Sequence, residues 1–128
     1  VERSRGLGDV YKRQLLAEDD NSLRGFLTRA LERADHEVVA CENGDDAIDA
    51  LDQGPYDLLL TDIVMPGADG IEVARVAAAR QPGLRIMFIT GFAAVALSAA
   101  QASPQAKVLS KPVHLRDLVN EVERMIAA

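Results

Sequence analysis

Four separated places in this chain carry side chains suited to one kind of chemistry: the acidic run Glu18-Asp19-Asp20, the aspartate Asp62, the hydroxyl of Thr90 and the amine of Lys111. Carboxylates gathered at one spot repel one another, at a cost to stability unless a cation sits among them. An all-oxygen set without His or Cys suits a hard ion, Mg²⁺ before Ca²⁺, and leaves positions for water and phosphate. A charged lysine cannot ligate such an ion, but it binds an anionic oxygen as a point charge. The threonine hydroxyl can hydrogen-bond another such oxygen. An aspartate in this company is a reasonable nucleophile toward phosphorus, with the ion and the lysine offsetting the charge that develops. Reversible aspartyl phosphorylation is the chemistry these residue types support.

The elements that must gather them alternate regularly from Leu15 on. Leu15-Leu16-Ala17 is a short apolar run ending at the three acids, after which Leu23, Phe26, Leu27, Ala30, Leu31 and Ala34 recur at helical spacing. Glu37–Cys41 reads as a second strand, and Asn43 as the N-cap of a helix bearing Ala47, Ile48 and Leu51 that Gly54-Pro55 stops. The nearly continuous apolar run 57–61 suits a parallel sheet covered on both faces. Asp69-Gly70 opens a third helix reaching about Arg80; strands over 85–89 and 107–109 enclose a fourth helix, Phe92 to Gln101. Leu115, Leu118, Val119, Val122, Met125 and Ile126 form the stripe of a last helix, begun near His114. Such β-α units predict an α/β fold, a five-stranded parallel sheet with right-handed crossovers and helices on both faces. Ligands of such sheets bind beyond the carboxyl ends of the strands, where Glu18-Asp19-Asp20, Asp62, Thr90 and Lys111 all fall.

Composition narrows the alternatives. A chain of 128 residues has room for one domain and buries about two thirds of its unfolded surface, so it needs no staple. Its single cysteine, Cys41, rules out an internal disulfide, and with only His36 and His114 beside it a structural zinc site lacks ligands. Cys41 reads as a small core residue, and His36 as a turn residue. The net charge of −6 disfavours nucleic-acid binding, which needs a basic surface. Residues 86–106 are uncharged and long enough to cross a bilayer, but Thr90-Gly91 and Pro104 interrupt them, so a strand and an Ala-rich helix are expected and no membrane span.

Residues 1–14 carry four bases and two acids without a hydrophobic period. The stretch 9–14 back-translates to a transposon end used in sequencing-library preparation. We therefore expect 1–14 to be a non-native or disordered leader and 15–128 to be the domain; resequencing the locus tests the artefact reading.

The segments LLAEDD, LLLTDIVMPGADG, IMFITG and KVLSKP, in this order and spacing, make the chain resemble the receiver domain of two-component response regulators from Leu15 onward. The resemblance implies a doubly wound, flavodoxin/CheY-like sheet of strand order 2-1-3-4-5. It makes Asp62 the phosphoacceptor, Thr90 the switch hydroxyl and Lys111 the phosphate-binding lysine, followed by a cis bond to Pro112. Mg²⁺ would be held by Asp19, Asp62 and the backbone carbonyl of Val64, with Glu18 acting through water. Asp20 is then an extra acid, although Asp19-Asp20 is an alternative pair and Asp20 equally suits an N-cap. The implied partners are a histidine kinase or histidine phosphotransfer protein as donor, with neither nucleic acid nor membrane, in the cytoplasm. The runs ITGFAAVAL and KVLSKPVHLRDLVNEV are similar to stand-alone receivers of alphaproteobacteria, which implies a phosphorelay and output on the ClpXP protease.

Three positions depart from the family pattern. Val108 stands where an inward-turning aromatic is common, so the output must be read differently, through a face formed by Phe92 to Gln101 and Val108. Val64 and Phe92 stand where a polar group often places the hydrolytic water; neither can hydrogen-bond it, and a long-lived phosphoryl group is expected. Other readings are a receiver truncated from a longer regulator, a phosphate-inert pseudo-receiver, a Mg²⁺-dependent phosphatase and a flavin binder. The phosphatase would want a second acid at Val64, and the flavin binder a Ser/Thr/Gly-rich loop where three acids stand.

Overall fold

In a computed structural model, which describes residues 12–102 and 105–127 apart from the side chains of 93, 94 and 97, the apolar runs become strands and the periodic segments helices in strict alternation. The order is β1 (Arg13–Ala17), α1 (Asn21–Arg33), β2 (Glu37–Cys41), α2 (Gly44–Ala50), β3 (Leu58–Asp62), α3 (Gly70–Arg80), β4 (Arg85–Thr90), α4 (Ala93–Ala102), β5 (Lys107–Ser110) and α5 (Leu115–Ala127). A 3₁₀ turn, Leu51–Gln53, carries the end of α2 into Gly54-Pro55. The strands pair in parallel in the order β2-β1-β3-β4-β5, as the sequence led us to expect.

Side chains alternate across the sheet, and each face has its own core. Leu15, Ala17, Leu59 and Phe88 pack with Ala47, Val73, Ala74, Ala77 and Ala99 from the helices α2, α3 and α4. On the other face Leu16, Leu58, Leu60, Met87 and Ile89 pack with Leu27 and Leu31 of α1 and Leu118 and Val122 of α5. β3 is buried along its whole length, which is why its sequence runs apolar without alternation. Side-chain caps start three helices: Asp20 accepts from Leu23 N, Asn43 from Asp46 N and Asp69 from Glu72 N.

The first strand begins at Arg13, two residues before the apolar run at Leu15. Residues 1–11 of the expected leader lie outside the described residues, but Arg13 and Gln14 are part of β1. Arg13 N donates to Asp57 Oδ2 (2.7 Å), and Asp57 N to Arg13 O (2.7 Å). Gln14 is fully buried, its Nε2 2.8 Å from Nδ1 of His36, which is itself buried directly after the turn that closes α1. Strand pairing uses backbone N–H and C=O groups whatever the side chains, so a polar Arg-Gln pair extends a strand that hydrophobic patterning cannot see. No helix among the described residues is long and apolar enough to cross a membrane.

Candidate functional site

The parallel register sets the carboxyl ends of β1, β3, β4 and β5 side by side, with Ala17 opposite Thr61, Asp62 opposite Ile89 and Thr90 opposite Ser110. The side chains that follow those positions converge. Lys111 Nζ lies 2.9 Å from Asp62 Oδ2 and 3.4 Å from Glu18 Oε1. Carboxylate oxygens of Glu18, Asp19 and Asp62 all lie within 4.8 Å of one another. Glu18 is buried to 1% exposure and Asp62 to 7%, whereas Asp19 is open to solvent. Thr90 is buried, and its Oγ1 accepts from Phe92 N (3.2 Å), leaving the hydroxyl proton for another acceptor.

Asp62 is held from two sides: Oδ1 accepts from Ile63 N (2.7 Å) and Oδ2 from Lys111 Nζ (2.9 Å). Glu18 Oε2 accepts from Asp20 N (3.0 Å), while Oε1 is buried without a hydrogen-bond partner among the described groups. Burial pushes the Glu18 carboxyl up from 4.5 to about 7; the Asp20 N–H and the Lys111 charge oppose that rise, and the Asp62 charge adds to it. For Lys111, burial pulls the pKa down, but the hydrogen bond and charge of Asp62, reinforced by Glu18, outweigh it and raise it above its ordinary value. Asp20 turns away to cap α1. The Lys111-Pro112 bond is cis, as is Gly54-Pro55.

The profile of the response regulator receiver domain matches residues 15–123. The chain belongs to that family. This receiver is 60% identical over 118 residues to the response regulator receiver protein CpdR of Brucella abortus, covering 91% of this chain and 98% of that one. Its fold superimposes on a response regulator receiver protein from Sinorhizobium medicae with a TM-score of 0.85 at 33% identity, over 92% of this chain and 96% of that one. It also superimposes on the response regulator TrrA of Thermotoga maritima in complex with Mg²⁺-BeF, with a TM-score of 0.79 at 27% identity, over 89% and 98% of the two chains.

The receiver's acidic pocket fits a hard divalent ion on its own geometry. Three carboxylates share one small volume, all donors are oxygens, and, among the described groups, Glu18 Oε1 is buried with no hydrogen bond, its nearest positive charge being Lys111 Nζ at 3.4 Å. One contributor escaped the sequence reading. Arg24, in the first turns of α1, donates from Nη1 to Glu18 O (2.9 Å) and from Nη2 to Asn21 Oδ1 (2.6 Å), and so fixes the β1–α1 loop that carries the acids. A positive charge close to a helix N-terminus opposes the macrodipole, and that anomaly was the available signal.

Proposed function

We propose that the protein accepts a phosphoryl group on Asp62 in a Mg²⁺-dependent reaction, and that the modification switches a protein–protein contact. The observation that carries the reading is Asp62 Oδ2 at 2.9 Å from Lys111 Nζ inside the cluster formed with Glu18 and Asp19. An Asp62 oxygen forms the new bond to phosphorus while the donor's bond to that phosphorus breaks. Lys111 binds an oxygen of the arriving group and offsets its charge. Thr90, with its proton free to donate, takes another such oxygen and ties the site to α4 through the adjoining Phe92. Asp19, Asp62, the Val64 carbonyl and, through water, Glu18 would hold Mg²⁺, which when bound neutralises the phosphoryl oxygens.

The donor would be a histidine kinase or a histidine phosphotransfer protein in the cytoplasm. The output face comprises Phe92 to Gln101 with Val108; Phe92 is 61% exposed and Val108 half-buried, while the side chains of 93, 94 and 97 lie outside the described residues. The 60% identity to CpdR, over nearly the whole of both chains, supports a role of the CpdR kind; output on the ClpXP protease is what the resemblance to stand-alone alphaproteobacterial receivers implies.

Val64 and Phe92 rim the site with half-exposed apolar side chains that cannot hydrogen-bond a hydrolytic water. The experiment is to load the protein with acetyl phosphate in Mg²⁺, remove the donor and follow loss of the aspartyl phosphate. The phosphoryl group should be long-lived, and Val64→Asn should shorten its life roughly tenfold, well under the 10²–10⁴ that full acid–base help contributes. Failure to load contradicts the reading; an unchanged lifetime in Val64→Asn contradicts the role of the rim.

A further inference from the structure

The loop between β3 and α3, residues 63–69, is tied down in two ways. At its ends Gly70 N donates to Ile63 O at 2.7 Å. In its middle it meets the start of α2, which packs on the same face of the sheet as α3: Gly44 N donates to Pro66 O (3.2 Å), and Asp45 Oδ1 accepts from Ala68 N (3.2 Å). The contact is close. A Cβ on Gly44 would lie 1.7 Å from Ala68 O, and one on Gly67, whose φ is 74°, would lie 2.6 Å from Asp45 Oδ2. Two glycines thus withdraw their side chains so that Asp45 can grip the loop. Capping does not explain Asp45, because Asn43 caps α2 through Asp46 N at 2.7 Å.

We infer that Asp45 is a positioning residue for the divalent-ion site: by bonding Ala68 N it fixes the path of the loop that presents the Val64 carbonyl. This rests on the Mg²⁺ site proposed above. A side-chain ligand can adjust by changing rotamer, but a backbone carbonyl goes where its loop goes. Mg²⁺ requires near-ideal octahedral geometry and tolerates little displacement of a ligand. Groups that orient metal ligands typically cost about 10- to 100-fold in affinity when removed, and Asp45, acting through four residues of backbone, belongs at the lower end.

The test is calorimetric titration of the full chain with MgCl₂ at neutral pH, comparing wild type, Asp45→Ala, Asp45→Asn, Asp46→Ala and Asp62→Ala. Asp45 is exposed, so its variants should fold, and thermal unfolding checks this. Asp45→Ala should weaken Mg²⁺ binding about tenfold. Asp45→Asn keeps an oxygen for Ala68 N and should bind close to the wild-type value. Asp46→Ala removes the same charge from the same helix end, leaves the loop alone and should also bind normally. The inference is overturned if Asp45→Ala binds like wild type, or if Asp45→Asn and Asp46→Ala lose as much as Asp45→Ala, since charge alone would then be responsible. Wild type binding no Mg²⁺, or binding undiminished in Asp62→Ala, would overturn the proposed ion site itself and the role of Asp45 with it.

Discussion

Between about pH 4.5 and 7, the protein in EDTA is expected to lose stability as the pH rises, while its affinity for Mg²⁺ increases. Both follow from Glu18, whose carboxyl burial lifts from 4.5 to about 7. The folded state holds a proton there that the unfolded state has already released. The resulting stabilisation is complete below pH 4.5 and disappears as the pH passes 7. At about 1.4 kcal/mol for each unit of displacement, up to about 3 kcal/mol is at stake. The raised Lys111 has the same sign, but its contribution is lost only in the alkaline range. Mg²⁺ competes with the Glu18 proton, so its binding should tighten by up to about tenfold per pH unit below 7 and then level off. Urea unfolding in EDTA from pH 4.5 to 8 measures the first effect. Glu18→Gln isolates it from the other carboxylates, since the difference between the two proteins should change by a few kcal/mol across the window. A Glu18→Gln curve parallel to the wild type would show that Glu18 is not the group responsible.

The second large effect is steric. A methyl group on Gly70 would meet Asp62 O at 2.0 Å and Ile63 Cα at 2.9 Å. Both are backbone, so no rotamer relieves the clash; either α3 moves off the sheet edge or the end of β3 moves, and Asp62 with it. Gly70→Ala should therefore cost about 3 kcal/mol, at the upper end of ordinary overpacking, and should also impair Mg²⁺ binding. Gly83→Ala supplies the contrast. Nothing lies within 4 Å of a Cβ there, and the loss of unfolded-state freedom should leave the protein unchanged or more stable by up to about 1 kcal/mol. Urea midpoints of the two variants decide the matter: a Gly70→Ala protein as stable as wild type would mean that the close approach of α3 to β3 is not needed.

Much of the fold could be read from the chain because each buried strand is a short apolar run stopped by a polar residue at the sheet edge. For the same reason Glu18, Asp19, Asp62, Thr90 and Lys111 could be placed together: each ends a strand or comes just after one, and the topology brings strand ends to one rim. Asp20 stayed ambiguous because an acid before a helix suits both a cap and an ion, and its side chain caps α1. The start of β1 was hidden at the polar pair Arg13-Gln14, since the backbone bonds that define it leave no mark in hydrophobicity. The burial of His36 was not legible locally, since its hydrogen-bond partner Gln14 lies 22 positions away. Asp45, Gly44 and Gly70 were likewise invisible as site residues. Their importance lies in contacts between loops distant in sequence, and nothing local distinguishes Asp45 from its neighbour Asp46.

The most direct test of Asp62 as phosphoacceptor is the intact mass of the full chain after incubation with acetyl phosphate and Mg²⁺, with Asp62→Ala treated alongside. Wild type should gain one phosphoryl group and Asp62→Ala none. A wild-type protein that is folded and binds Mg²⁺ yet gains no mass, or an Asp62→Ala protein that gains it equally, would contradict a phosphorylation switch at Asp62.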